Sequence, residues 1–242
     1  MARDANQQQR STEIQSGLSR LSSTFRGNYK TVEAMAQVFM REAIVRGIFY
    51  PGEKLNQDDI ATALGISRIP VRAALRPLEA EGLVRLEPHR GARVSVLTPA
   101  EIEELYSIRL LLEGWLLSLA IKKIRSDSIE QLRRSAKAID AAVDKNARTW
   151  HSDEDIDRRR DFYRELYQVA GQPRTLRLVE QLREEVGRYL LLLRAHHNQS
   201  SHIDFVELIA AGDRTGARRW LKHHLTQVSS EIQRLLVESA NR

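Results

Sequence analysis

Three arginines four residues apart, Arg68, Arg72 and Arg76, stand behind Ser67 in the stretch "GISRIPVRAALRPLEAEGLV", residues 65–84. At that spacing they line one face of a helix. A guanidinium is a planar fork that fits guanine O6 and N7, or two phosphate oxygens. A serine beside the free amides of a first helical turn suits a phosphate. The chemistry on offer is recognition of phosphates and base edges. Taken alone, such a stripe is more often a solvated face, so its context has to decide. A second basic group, His89, Arg90 and Arg93, lies in "EPHRGARV". His196, His197 and His223 could be mistaken for metal ligands. Neighbours on a helix cannot face one site together, so His196 and His197 read as surface residues.

The elements that must position the arginines follow from periodicity and punctuation. "TVEAMAQVFMREAIVRG" puts Val32, Met35, Ala36, Phe39, Ala43 and Ile44 on one stripe and stops at Gly47. "IFYPGEKL" reads as a turn at Pro51-Gly52. "NQDDIATALG" is a short helix capped by Asn56, with Asp58 and Asp59 in its positive first turn and Gly65 at its end. Ser67 caps the next helix, with Pro70 inside the first turn and Gly82 at the end. Pro77 lacks the N–H that would bond the Ala73 carbonyl and should bend or loosen the last turns. "LVRLEPHRGARVSVL" is a β-hairpin. Three helices and a hairpin in this order make a winged helix-turn-helix, in which the helix after Ser67 presents its N-terminal half to a major groove.

The expected organisation is a flexible tail over residues 1–30, a winged helix-turn-helix over 31–98 and a helical unit over 99–242. The tail is rich in Gln, Ser, Asn and Arg, with a weak helical pattern at Ile14, Leu18 and Leu21. Thr98, Pro99 and Glu101 form a capping box that opens the last region. Helices are expected over roughly 99–124, 128–147, 153–170, 173–195, 201–211 and 213–239, with short breaks and no strands. The fold class is mainly α, and the second region is an all-helical bundle.

The totals narrow the function. The chain of 242 residues contains no cysteine, which excludes disulfides and thiolate metal sites and suits a reducing, cytoplasmic setting. The longest apolar run, "LLLEGWLLSLAI" at 110–121, is too short for a membrane span and carries Glu113. Net charge is +6. Residues 1–98 hold 14 basic against 10 acidic side chains, the rest 24 against 22, so the positive excess is concentrated in the N-terminal part.

The segment "PGEKLNQDDIATALGISRIPVRAALRPLEAEGLVRLEPHRGARV" strongly resembles the DNA-binding domain of the GntR family of bacterial transcription regulators. The resemblance implies that Ser67, Arg68, Ile69, Pro70 and Arg72 face operator DNA and that Gly91 is the wing glycine. Arg76 reaches backbone rather than bases, and His89 and Arg90 form the wing tip. Some relatives carry a basic contact where this chain has Asp58. The pieces "IEELYSIRLLLEGWLLSLA", "DFYRELYQVAGQPRTLRLV" and "HIDFVELIAAGDRTGARRWLKHHL" resemble the helical FCD effector domain of the FadR-type branch.

Many FCD domains hold a divalent metal through one aspartate and three histidines. Only His202 and His224 match here; Arg159 stands at the aspartate position and Tyr163 at a histidine position. No metal cofactor is therefore expected, and His202 and His224 would be its ligands if one bound. The residues present suggest instead an effector site in which Arg109 and Arg159 pair with a carboxylate or phosphate, while Tyr163, His202 and His224 supply hydrogen bonds; the alternative is a set of buried polar groups that satisfy one another, with Arg159 turned to solvent. The expected function is a dimeric transcriptional regulator, a repressor released by a small organic acid, with double-stranded operator DNA as partner. The rivals are a metal-assisted enzyme with a helical active site and a sequence-neutral architectural DNA-binding protein.

Overall fold

A computed structural model describes residues 2–88, 90–142, 153–190 and 200–240. The chain divides into two compact units, Met1–Val96 and Leu97–Arg242.

The first unit is built on α1 (Ala2–Thr24), α2 (Val32–Val45), α3 (Gln57–Leu64) and α4 (Arg68–Ala80), with strands β1 (Lys54–Leu55), β2 (Val84–Glu87) and β3 (Gly91–Val94). Most of the apolar stripe of α2 is buried: Ala36, Phe39, Ala43 and Ile44, joined by Met40, pack with Ile60 of α3 and Val71, Leu75 and Leu78 of α4, while Val32 at the helix start is exposed and Met35 half-buried. Asn56 accepts from the Asp58 N–H, and Gly65 ends α3 at φ +66°, where a side chain would be strained. The ends of α2 and α4 are tied by Arg41, which donates to both Glu81 oxygens at 2.7 and 2.6 Å.

The flexible tail expected over 1–30 is corrected: residues 2–24 are a helix. Leu18 and Leu21 are buried with Phe39 and Ile48. Arg10 donates to Glu53 at 2.6 Å and to the Ile48 carbonyl at 2.9 Å, and lies 3.9 Å over the Tyr50 ring. Gly17 lets the helix approach, since a Cβ there would sit 3.1 Å from Ile48. The helix depends on partners far along the chain, which is why its polar composition concealed it. The turn read at "IFYPGEKL" also holds more structure than expected. β1 joins the hairpin as a third, antiparallel strand in the order β1-β3-β2, pairing Leu55 with Ala92.

The second unit contains α5 (Pro99–Lys123), α6 (Ser126–Ala142), α7 (Asp153–Gln168), α8 (Pro173–Leu190), α9 (His202–Ala210) and α10 (Arg214–Ala240). They follow the expected order, and the capping box at Thr98 is present in both directions. The core joins Leu116 and Leu117 of α5, Phe162 and Leu166 of α7, Val179 and Val186 of α8, Phe205 of α9 and Leu221 and Leu225 of α10. Among the described residues no helix is long and apolar enough to cross a membrane.

Candidate nucleic-acid interface and effector site

Helix α4 buries Val71, Ala74, Leu75 and Leu78 and turns Arg68, Ile69, Arg72 and Arg76 outward. Ile69 is 78% exposed. Ser67 occupies the N-cap position but makes no side-chain capping bond, so the expected cap is one of position only. Pro70 is half-buried in the first turn. Pro77 does not break α4, which runs on to Ala80 and closes with the Glu81 N–H on the Pro77 carbonyl at 3.0 Å. Arg68 is not a lone cation: its Nε lies 2.9 Å from Oδ1 of Asp58 on α3.

The hairpin tip turns through the Arg90 N–H on the Glu87 carbonyl at 3.1 Å and Gly91 at φ +93°. Arg90 is exposed. Arg93 is drawn back along the sheet, donating to Glu87 at 3.3 Å and to the Gly52 carbonyl at 3.1 Å. His89 lies outside the described residues, as do His196 and His197.

In the second unit, Tyr163, His202 and His224 come together. The Tyr163 hydroxyl is 3.4 Å from Nε2 of each histidine, and all three are buried. Trp220 stacks on His224 with centroids 4.9 Å apart. His202 Nδ1 faces Asp140 at 3.1 Å. Asp140 also accepts the backbone N–H groups of His202 and Ile203 and the Ser201 hydroxyl, capping α9 from α6. Burial would raise its pKa, but these bonds, the His202 side chain first, hold it down at about 2. Nothing in the sequence singled out Asp140, because its partners lie some sixty residues away. His223 is exposed and faces no such group.

Arg109 is placed differently from the expected anion clamp. It donates to Glu113 at 2.8 Å and lies over Tyr106. Glu113 is fully buried and also accepts from Tyr167 at 2.8 Å and Arg183 at 3.1 Å. Burial opposes the Glu113 charge, yet Arg109 and Arg183 keep its pKa below the usual carboxylate value. Arg109 is therefore already committed to a buried ion pair. The cation beside Tyr163 is Arg183, 3.7 Å over its ring, which sequence reasoning missed. Its only available signal was a basic residue on the amphipathic α8. Burial pushes the half-buried Arg159 down to about 10, with Arg183 adding to the fall and Tyr163, Asp155 and Asp140 opposing it. Burial raises the Tyr163 pKa despite Arg183, which keeps the hydroxyl as a donor. The Tyr106 hydroxyl is buried with no hydrogen-bond partner among the described residues.

This donor set does not fit a divalent metal. Two imidazoles converge on a phenol and not on an oxyanion ligand, and Asp140 is spent on α9. Among the described residues no group of three metal-ligating side chains exists.

Known proteins resemble both units. An HTH-type transcriptional regulator of Agrobacterium vitis is 36% identical over 110 residues, covering 44% of this chain and 64% of its own. The gluconate operon transcriptional repressor of Bacillus subtilis is 38% identical over 109 residues, 42% of this chain and 44% of its own. The transcriptional repressor RspR of Escherichia coli is 22% identical over 84% of this chain and 89% of its own. The first two similarities thus span about half to two thirds of those relatives. Among solved structures, Escherichia coli McbR/YncC shares the fold with a TM-score of 0.71 at 21% identity, covering 86% of this chain and 99% of that one. Residues 33–94 match the bacterial regulatory proteins of the gntR family and residues 104–227 match the FCD domain. The chain belongs to the GntR family of bacterial regulatory proteins and carries an FCD domain as its second unit.

Proposed function

We propose that this protein is a ligand-responsive transcriptional repressor that reads operator DNA as a homodimer and is released by a small organic acid bound in its FCD unit. The observation that carries the reading is the outward face of α4. Arg68, Ile69 and Arg72 share the end of the helix that enters a major groove, over a fully apolar inner face. Arg72 has the fork for guanine, and exposed Ile69 offers an apolar surface for a thymine methyl. Arg76 and Arg90 are placed for phosphates, as are Ser67 and the amides after it. Gly91 gives the wing its turn.

Dimerisation is supported by an apolar stripe on α5. Ile108, Leu111 and Trp115 share one face and are 37%, 74% and 46% exposed. Repression is the role named for two of the relatives. For the effector, Arg159 and Arg183 offer a carboxylate partner next to the Tyr163–His202–His224 cluster, and the unpartnered Tyr106 hydroxyl offers a further polar contact. Arg109 serves that site from behind, through Glu113 and Arg183.

The test is selection of duplexes from a random pool with the full-length protein, followed by gel shift against random competitor. The expected product is a palindrome preferred by at least ~10³-fold at physiological salt. Arg72→Ala should lose ~5–150-fold per half-site. Titrating the complex with small mono- and dicarboxylic acids should release the DNA. Equal affinity for selected and random duplexes defeats the reading.

A further inference from the structure

We infer that Asp58 is a specificity-determining residue: its carboxylate positions the Arg68 guanidinium for a base and withholds it from phosphates. The inference rests on the operator-binding reading above. Its basis is the ion pair between α3 and α4, with Nε 2.9 Å from Oδ1. The two side chains are 65% and 60% exposed. An ion pair that open to water does little for stability, so folding does not account for its presence. Nor does the start of α3 need this charge. Asn56 already caps the helix, and Asp59 supplies a second acid in the same turn. Asp59 itself is engaged elsewhere, accepting from Gln15 of α1 at 3.4 Å.

A lone carboxylate beside a groove-reading helix would repel phosphates. Paired with Arg68 it carries no net charge. A guanidinium has five N–H donors and a carboxylate can take two at most, so at least three remain for a guanine edge. The Asp58 backbone is held by the Asn56 cap through its N–H at 3.0 Å, so the carboxylate is presented from a fixed point. Arg68 then meets the groove with part of its rotamer freedom already lost, and binding has less ordering left to do. An untethered arginine at the same place would move to the nearest phosphate, which carries no sequence information.

The experiment uses full-length wild type, Asp58→Ala, Asp58→Glu, Arg68→Ala and the double variant Asp58→Ala/Arg68→Ala. Each is put through selection from random duplexes. Binding to the wild-type selected duplex and to random duplex is then measured over a salt series. Asp58→Ala should bind random duplex more tightly and lose ~5-fold or more of the selected-to-random ratio, within the range one base contact contributes. The Asp58→Ala salt slope should steepen by ~0.9 per DNA-binding unit as Arg68 turns to a phosphate. Its selected motif should blur at one guanine position per half-site. Asp58→Glu should restore most of the ratio. The double variant should discriminate no worse than Arg68→Ala. Unchanged base preference and salt slope in Asp58→Ala overturn the inference, as does an equal weakening on both duplexes. If wild type enriches no sequence at all, the operator-binding reading falls at that first step, before any variant is compared.

Discussion

Replacing Glu113 with glutamine should destabilise the second unit far more than any surface change. Glu113 is fully buried, and it accepts from Arg109, Tyr167 and Arg183, joining α5, α7 and α8. Glutamine keeps the shape and one acceptor but removes the charge. Arg109, 5% exposed, is then a buried cation without a counter-ion. Breaking one side of a buried pair costs ~3–5 kcal/mol. For a unit of this size that is a fall of ~6–20 °C in the melting midpoint. All three tryptophans, Trp115, Trp150 and Trp220, lie in the second unit, so fluorescence in urea or on heating reads that unit alone.

The control is Arg109→Met combined with Glu113→Leu, which removes both charges and keeps the volume. It should recover most of the loss, since Arg183 is partly exposed and can keep its charge hydrated. The pH dependence has a definite sign. The folded pKa of Glu113 is depressed, so its contribution is present above the unfolded carboxylate pKa and is lost as pH falls through the lower folded value. The gap between wild type and Glu113→Gln should therefore close as the solution is acidified below ~pH 4. A loss under ~1 kcal/mol for Glu113→Gln, or a double variant no more stable than the single, would refute the uncompensated-charge reasoning.

Deleting residues 2–24 should cost the first unit ~3–6 kcal/mol, because Leu18 and Leu21 leave the core, and urea unfolding followed by circular dichroism checks it. Asp140→Asn should loosen the start of α9, seen as faster amide exchange at Ile203 and Asp204. Because Asp140 is held at about 2, wild-type protection there should be present above its usual pKa and vanish as pH falls through about 2, while the variant lacks that transition. Arg183→Met should raise the concentration of organic acid needed to release DNA by ~10-fold or more, measured by titration of the protein–DNA complex. Pro77→Ala should raise the melting midpoint without changing the selected operator, since Pro77 is exposed and costs up to ~3 kcal/mol in a helix interior.

Local patterns announced a large part of this molecule. Most of the stripe of α2, the Asn56 cap, Gly65 and the spacing of Arg68, Arg72 and Arg76 are short-range signals that fold as period and dihedral demand, with Val32 at the edge of that stripe left exposed. The same holds for the capping box at Thr98 and the order of the six helices behind it. Arg159 and Tyr163 were singled out only through the resemblance to FCD domains, which sets them where that family carries an aspartate and a histidine.

What no window of sequence contained was partnership over distance. Helix α1 looks like a polar tail until Arg10 meets Glu53 and Leu18 enters the core. β1 is two residues that become a strand only against β3. Arg109 invites reading as an anion clamp; Glu113 stands only one turn on, but its links to Tyr167 and Arg183 span more than fifty residues, and Arg183 from α8 takes the place beside Tyr163. Asp140 gains its role from the start of a helix sixty residues later. Charge and hydrogen-bonding capacity are written in residue types, but which donor satisfies which acceptor in a dry interior is settled only when the helices pack. Leaving any of them unpaired there costs more than most local preferences are worth.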